Sequence, residues 1–254
     1  MLLHTPQIIT IESELESVKR LEFPTFLNEK DIDPTKLVMR WGRGWLSTSS
    51  EYTNVINSVD SIILNVNKLK SLKKLAKVVD TPKLFEKRVP KVYSAVIRPM
   101  RHSSGKSFQI VKGPYDIPEG YYGTELIETD HEYRVWYAFG RCMMARRVPL
   151  EKHITKFKVG RKNISVETNN NPEELCRSEW GYSFEPIYQD LKEQTIKAFE
   201  TIGLQTGAAD ILLANCKYYF LELNSAPTID CRAIKEFFKN RISEYVNSLV
   251  PVCS

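Results

Sequence analysis

No apolar run in the sequence approaches the ~20 residues that a membrane helix needs, so no membrane span is expected. The opening residues, MLLHTPQIITIESELES, bring in Glu12, Glu14 and Glu16 and lack the basic and apolar regions of a secretory signal. The five cysteines, Cys142, Cys176, Cys216, Cys231 and Cys253, are odd in number and scattered, with no CxxC pair. That argues against a disulfide framework and a zinc site, and points to free thiols in a reducing, cytoplasmic setting. The four histidines, His4, His102, His131 and His153, do not cluster, and no Ser/His/Asp or Cys/His set suggests a nucleophilic enzyme. Glycine is sparse, at 11 residues, and forms neither GxGxxG after a strand nor GxxxxGK[ST]. The two common nucleotide-binding signatures are therefore absent, as are internal repeats and low-complexity tracts.

What remains is an ordinary globular composition of 254 residues, 42% hydrophobic and 26% charged, enough for one unit of two or three lobes. The net charge of +5 suits an anionic ligand such as a nucleotide without arguing for nucleic acid. One segment is more basic than the rest. Arg141, Arg146, Arg147, Lys152, Lys156, Lys158, Arg161 and Lys162 stand there against Glu151 alone. It reads either as a solvated hairpin or as a surface that meets phosphate or an acidic substrate.

The apolar patterning predicts mixed helices and strands. Residues 1–35 show no clear period. Leu37–Arg40 reads as a strand before the turn WGRG, and Ser61–Leu64 as a second short strand. Asn67 opens a helix, NKLKSLKKLAKVV, whose stripe is Leu69, Leu72, Leu75 and Ala76 and which ends at Thr81-Pro82. Strands follow at Tyr93–Arg98 and Ser107–Val111, flanking the loop PMRHSSGKS. Gly120–Ile127 leads into HEYRVWYAFGRCMMARRV, a hairpin turning at Phe139–Arg141, and Glu167–Trp180 is a polar loop. Ile187, Leu191, Thr195, Ala198 and Ile202 mark an amphipathic helix closed by Gly203. Ala208–Leu213 and Tyr218–Leu223 form a hairpin, and Arg232–Leu249 a final helix. The class is α+β.

The last hairpin carries the chemistry. Glu222 and Asn224 lie two apart in YYFLELNSAP, on one face of a strand that is otherwise aromatic and apolar. Asp210 lies twelve residues before Glu222, and a three-residue turn would stand it directly across the ladder. Two bare carboxylates there would repel and raise each other's pKa. A divalent cation relieves that, and two carboxylates with a carboxamide are hard oxygen ligands suited to Mg²⁺. The plainer reading is a solvent-facing strand edge with incidental acids.

ADILLANCKYYFLELNSAPTI resembles the C-terminal metal-binding hairpin of the ATP-grasp superfamily, and most of all the carboxylate–amine ligases of the ribosomal-protein glutamate-ligase and amino-acid-ligase type. The resemblance implies an ATP-grasp fold, with two α+β lobes clasping the nucleotide behind a short N-terminal α/β lobe. It places the N-terminal lobe at 1–66, the small ATP-grasp lobe at 67–127 and the large lobe at 128–254. It also implies that Asp210, Glu222 and Asn224 hold Mg²⁺, two ions with Mn²⁺ as a substitute, against ATP. NKLKSLKKLAKVVDTP is similar to the family's nucleotide-contacting segment, which assigns Lys68. VYSAVIRP resembles the strand ending in a phosphate-contacting cation, here Arg98 in place of the more usual Lys. HSSGKS resembles the phosphate-covering loop, which assigns His102, Ser104, Gly105, Lys106 and Ser107, with one glycine where the family shows two. TELIETDHEYRVW resembles the linker between lobes. There the backbone near Glu125, Leu126 and Ile127 would meet adenine, Glu132 or else Asp130 would take the ribose hydroxyls, and Arg134 would face the reacting groups. Arg146 and Lys156 are further phosphate or acyl-phosphate candidates, and Arg98, Lys106 and Arg134 the catalytic ones. Arg40 and Arg43 either hold a substrate carboxylate or belong to a turn packed by Trp41 and Trp45.

The implied activity is amide or peptide bond formation through an acyl phosphate, with ADP and phosphate released. The partners would be ATP, a small-molecule, peptide or protein carboxylate, and an amine acceptor. A non-catalytic nucleotide-binding module and a ligase acting on a nucleic acid or other polyanion stay open.

Overall fold

The computed structural model describes residues 5–33, 35–42, 55–100, 108–129, 131–149 and 180–249. Among them no helix is long and apolar enough to cross a membrane.

The N-terminal part holds strand β1 (Gln7–Thr10), the short helix α1 (Leu15–Lys19), β2 (Thr25–Phe26), β3 (Val38–Trp41) and β4 (Val55–Ile56). The four strands form one parallel sheet in the order β2-β1-β3-β4. Strands β1 and β3 are buried at every position, polar Gln7, Thr10 and Arg40 included, the pattern of a sheet covered on both faces, which is why no two-residue period was legible before residue 35. Next come helices α2 (Val59–Val66) and α3 (Lys68–Leu75). The apolar run Ser61–Leu64 therefore lies in a helix and not in a strand. The Ser58 hydroxyl accepts the Ser61 N–H and starts that helix, which decides a run too short to assign by period alone.

Asn57 fastens this part to the rest. It is fully buried, at φ +59°. Its amide nitrogen donates to the Arg40 and Thr206 carbonyls and to Thr206 Oγ1, and its amide oxygen accepts the N–H groups of Gln205 and Thr206. Asn57→Ala strands these groups and removes the side-chain amide that eases the left-handed backbone. The expected loss is about 2 kcal/mol, read as a lower urea midpoint at unchanged slope.

The central part runs β5 (Leu84–Phe85), β6 (Arg88–Val89), β7 (Ser94–Pro99), β8 (Gln109–Lys112), β9 (Tyr115–Asp116) and β10 (Tyr121–Glu125). Four of these make an antiparallel sheet, β5-β10-β7-β8, and β6 pairs with β9 as a separate ribbon. Alternation splits the sheet's faces. Ala95, Ile97 and Phe85 pack on Val89, while Tyr122 turns the other way onto helix α3.

The C-terminal part runs β11 (His131–Ala138), β12 (Arg141–Pro149), β13 (Trp180–Glu185), α4 (Gln189–Ile202), β14 (Thr206–Ala214), β15 (Lys217–Asn224) and α5 (Arg232–Ser248). Its strands form one antiparallel sheet in the order β13-β12-β11-β14-β15. Strand β13 begins where the stretch read as a polar loop, Glu167–Trp180, ends. Helix α4 ends at Gly203 in the left-handed region, φ +84°, as its position predicts. One sheet face is covered by α3 and α4, whose Leu72, Leu75, Leu191 and Phe199 pack on Tyr133, Val135, Ala209 and Phe220. The other face meets α5 at its lower end, where Phe238 and Ile242 pack with Trp136, Ala138 and Ala208. The upper end of that second face carries the charged residues.

Candidate active site

Strand alternation places the site. On β14, Ala209 and Ile211 face the helices α3 and α4, so Asp210 faces the opposite way. Glu222 pairs directly with Asp210 across the ladder, and Asn224 pairs with Ala208. All three oxygen-bearing groups therefore share one face. The way they get there differs from expectation. The turn has two residues, Asn215 and Cys216, both at positive φ as a tight hairpin requires, and Ala214 pairs with Lys217. That register would put Asp210 opposite Leu221. A β-bulge between Asp210 and Ile211 leaves Leu221 as the extra residue and hands the position to Glu222.

The next strand completes the row. Arg134 pairs with Asp210 on one side and with Ala145 on the other, and Ala145 pairs with Phe184. Arg134 Nη1 lies 3.2 Å from Asp210 Oδ1. Arg147 Nη2 reaches the same oxygen at 3.3 Å, while its Nη1 bonds Glu132 Oε1 at 2.7 Å. The four side chains are only 7–16% exposed, so their charges act in a poorly screened setting. Burial alone would lower the Arg147 pKa, but the Asp210 and Glu132 carboxylates outweigh it and hold the guanidinium above its ordinary range. The repulsion between carboxylates that seemed to demand a cation is thus already relieved at Asp210 by two arginines.

Neighbouring groups are also fixed. Lys68 Nζ donates to the Leu223 carbonyl at 2.8 Å, between Glu222 and Asn224. Asn224 Oδ1 accepts the Ala226 N–H at 2.9 Å, which orients its amide. Gly207 leaves room for β15: a β-carbon there would stand 2.5 Å from the Asn224 carbonyl oxygen. Among the described residues no three His, Cys, Asp or Glu side chains gather as a metal ligand set. A cation here would draw on Asp210, Glu222 and the Asn224 amide oxygen. Those donors fit Mg²⁺, since each engaged oxygen keeps a second lone pair.

Three comparisons bear on this architecture. No family model matches the sequence, and no curated protein matches it. Solved structures do. The macrocyclase MdnC, bound with precursor peptide MdnA, from Microcystis aeruginosa MRC superposes with a TM-score of 0.61 at 11% identity, covering 97% of this chain and 100% of that one. The ATP-grasp ligase PsnB, complexed with a precursor peptide and AMPPNP, gives 0.65 at 12% identity over 96% and 99%. D-alanine–D-alanine ligase from Bacillus anthracis gives 0.61 at 12% identity over 97% and 100%. The fold is the ATP-grasp fold.

Within the ATP-grasp fold, the sequence-assigned residues fall as follows. Arg98 lies on β7, 5% exposed, and pairs with Tyr122, so it occupies the small-sheet face that turns toward α3 and the large sheet. Glu125 and Leu126 lie where β10 leaves that sheet. Their N–H groups bond the carbonyls of Lys83 and Ser94, so any recognition of a base by these two residues falls to their carbonyls. Ile127 follows in the connection to β11. Glu132 sits on the charged face, held by Arg147. His102, Ser104, Gly105, Lys106 and Ser107 lie outside the described residues, as do Arg43, Asp130 and Lys156.

Arg146 faces away. It pairs with Tyr133, on the helix-covered face, and its Nε lies 3.4 Å from Glu185 Oε1. Its neighbour Arg147 is the basic-segment residue that enters the site. Tyr182, which pairs with Arg147 across β12 and β13, was also missed. Cys142 offers no nucleophile, because burial pushes its thiol up to about 12.

Proposed function

We propose that the chain is an ATP-dependent carboxylate–amine ligase. The observation that carries this reading is the shared face of Asp210, Glu222 and Asn224 beside Arg134 and Arg147, on the large sheet of an ATP-grasp fold. The likeness to a macrocyclase and to D-alanine–D-alanine ligase supports the reaction class. A substrate carboxylate oxygen attacks the γ-phosphorus of ATP. A new O–P bond forms, the bond to the β–γ bridging oxygen breaks, and ADP leaves. The amine nitrogen then attacks the acyl carbon. The C–N bond forms, the C–O bond to phosphate breaks, phosphate departs, and the nitrogen sheds its proton.

Each residue has a part that follows from its chemistry. Asp210, Glu222 and Asn224 would hold Mg²⁺, two ions in this reading, with Mn²⁺ as a substitute. Magnesium supplies neutralisation of the phosphate oxygens when bound. Arg98 clamps phosphate oxygens as a fork, and Lys68 and the segment His102, Ser104, Gly105, Lys106 and Ser107 add cationic and N–H donors. Arg134 and Arg147 offset negative charge on the reacting groups, the task that dominates phosphoryl transfer. Leu212, two residues beyond Asp210 on the same face of β14, would give the base an apolar floor. Glu132 takes a ribose hydroxyl.

One observation favours a second reading, a nucleotide-binding module without catalysis: Asp210 is already neutralised by two guanidiniums. Incubation with ATP, Mg²⁺ and a panel of amino acids and dipeptides separates the two. The ligase reading expects ADP release with some pairs and a product whose mass equals both substrates less one water. ATP that binds and stays intact with every member sinks it in favour of the module.

A further inference from the structure

The charged face does not end at Arg147. The row Glu222–Asp210–Arg134–Ala145 continues onto the edge strand β13 at Phe184, and Arg147 pairs with Tyr182 on the same strand. Below them Trp136 lies two residues from Arg134. The three rings touch: Trp136 and Tyr182 meet edge to face at 5.1 Å, and Trp136 and Phe184 stack at 5.8 Å and 29°. Ala145 is the small residue between Phe184 and Arg134, so the ring can lean over it.

Three features separate this cluster from ordinary core. Phe184 is 42% exposed, although a phenyl ring in a packed core would be hidden. Tyr182 pairs directly with Arg147 across β12 and β13, so its ring borders the charged site. Arg134, Arg147, Asp210 and Asp230 all lie close enough to act on its phenol. Finally, Trp136 is 1% exposed, and its indole N–H has no hydrogen-bond partner among the described residues. A buried donor left so is uncommon and marks either strain or a missing acceptor.

Distance fixes what fits. Phe184 and Arg134 are two strands apart, about 10 Å. That is the reach of one amino-acid unit, with its carboxyl at the arginines and its side chain on the rings. The nucleotide and metal roles proposed above use the opposite end of the row and leave this end untouched.

We infer that Phe184 and Tyr182, backed by the buried Trp136, form a substrate subsite that takes an aromatic side chain of the molecule being joined. The inference rests on the ligase reading for its placement beside the reacting groups, but it concerns binding and is tested as binding. Aromatic pairing contributes enough for roughly a threefold to tenfold preference over a small side chain.

The test measures dissociation constants for the dipeptides Ala-Phe, Ala-Tyr, Ala-Leu and Ala-Ala by titration calorimetry on the full chain with Mg²⁺ and ADP. Wild type is compared with Phe184→Ala and Phe184→Leu, and ADP release is recorded in parallel. The subsite predicts that Ala-Phe and Ala-Tyr bind tighter than Ala-Ala, that Phe184→Ala removes the difference and leaves Ala-Ala unchanged, and that Phe184→Leu keeps part of it. Melting temperatures check that each variant is folded. Equal binding of all four dipeptides, no binding of any, or a preference that survives Phe184→Ala overturns the subsite. Preference without turnover keeps the subsite while the ligase reading fails. Turnover without preference does the reverse.

Discussion

Glu222→Ala is expected to cut Mg²⁺-dependent ADP release by on the order of a hundredfold or more, with no loss of fold. Glu222 is the sharper probe of the acidic pair. Asp210 is bonded to Arg134 and Arg147, so replacing it disturbs the packing of two buried guanidiniums along with any metal. Glu222 lies beside the bulge on the outermost strand, where removing a carboxylate leaves Asp210 still neutralised. Circular dichroism and a melting curve should match wild type. The informative measurement is the Mg²⁺ dependence of the residual rate. A higher Mg²⁺ requirement alongside the lost rate points to a ligand, whereas an unchanged Mg²⁺ curve with wild-type-like ADP release removes the metal assignment.

Arg147→Met is expected to cost about 3–5 kcal/mol of stability, the penalty for leaving a buried charge without its partner. Among the described residues its ion-pair partners are Glu132 and Asp210, and the side chain is 16% exposed. For a chain of this size the melting temperature should fall by roughly 10 °C. Arg146→Met is the built-in control. That side chain is 42% exposed and its ion pair among the described residues is with Glu185, so its loss should stay within about 0.5 kcal/mol. Comparable losses from adjacent residues would mean that the two arginines do not face opposite ways. Arg147→Lys should recover part of the stability, since a point charge can meet one carboxylate but not both in a fork.

The acidic hairpin was legible because its signal is a parity. Glu222 and Asn224 two apart must share a strand face, and an even separation from Asp210 allows that face to be common. The mechanism behind the parity was hidden, because a three-residue turn and a two-residue turn with a bulge give the same spacing. Arg147 was legible in principle. The hairpin β11–β12 turns at Phe139 and Gly140, both at positive φ. Ala138 therefore pairs with Arg141 and Arg134 with Ala145, so the odd-numbered residues of β12 share the face of Arg134. Placing the turn one residue looser blurred that count and favoured Arg146. Strand β13 was legible too: in WGYSFE the aromatic Trp180, Tyr182 and Phe184 alternate with Gly181, Ser183 and Glu185, but the polar run before it drew the reading to loop. Other features had no local signal. The N-terminal sheet is parallel and buried, so it offers no polar face to mark its strands. The ion-pair lattice of Glu132, Arg134, Arg147 and Asp210 joins residues up to 78 apart and exists only once the register is set.

The extra residue at Leu221 bears on how such hairpins are found in other chains. The count of residues between the two acids is turn length plus bulge, and either can change while the acids stay opposite. A chain with the same two-residue turn and no bulge would carry its acids one residue closer together and present the same face. Deleting Leu221 should likewise preserve the Asp210–Glu222 opposition while straightening the strand. Patterns written with a fixed gap will overlook relatives that differ in turn or bulge. A gap that tolerates one residue, anchored on the Glu-x-Asn pair, follows the geometry instead of the arithmetic.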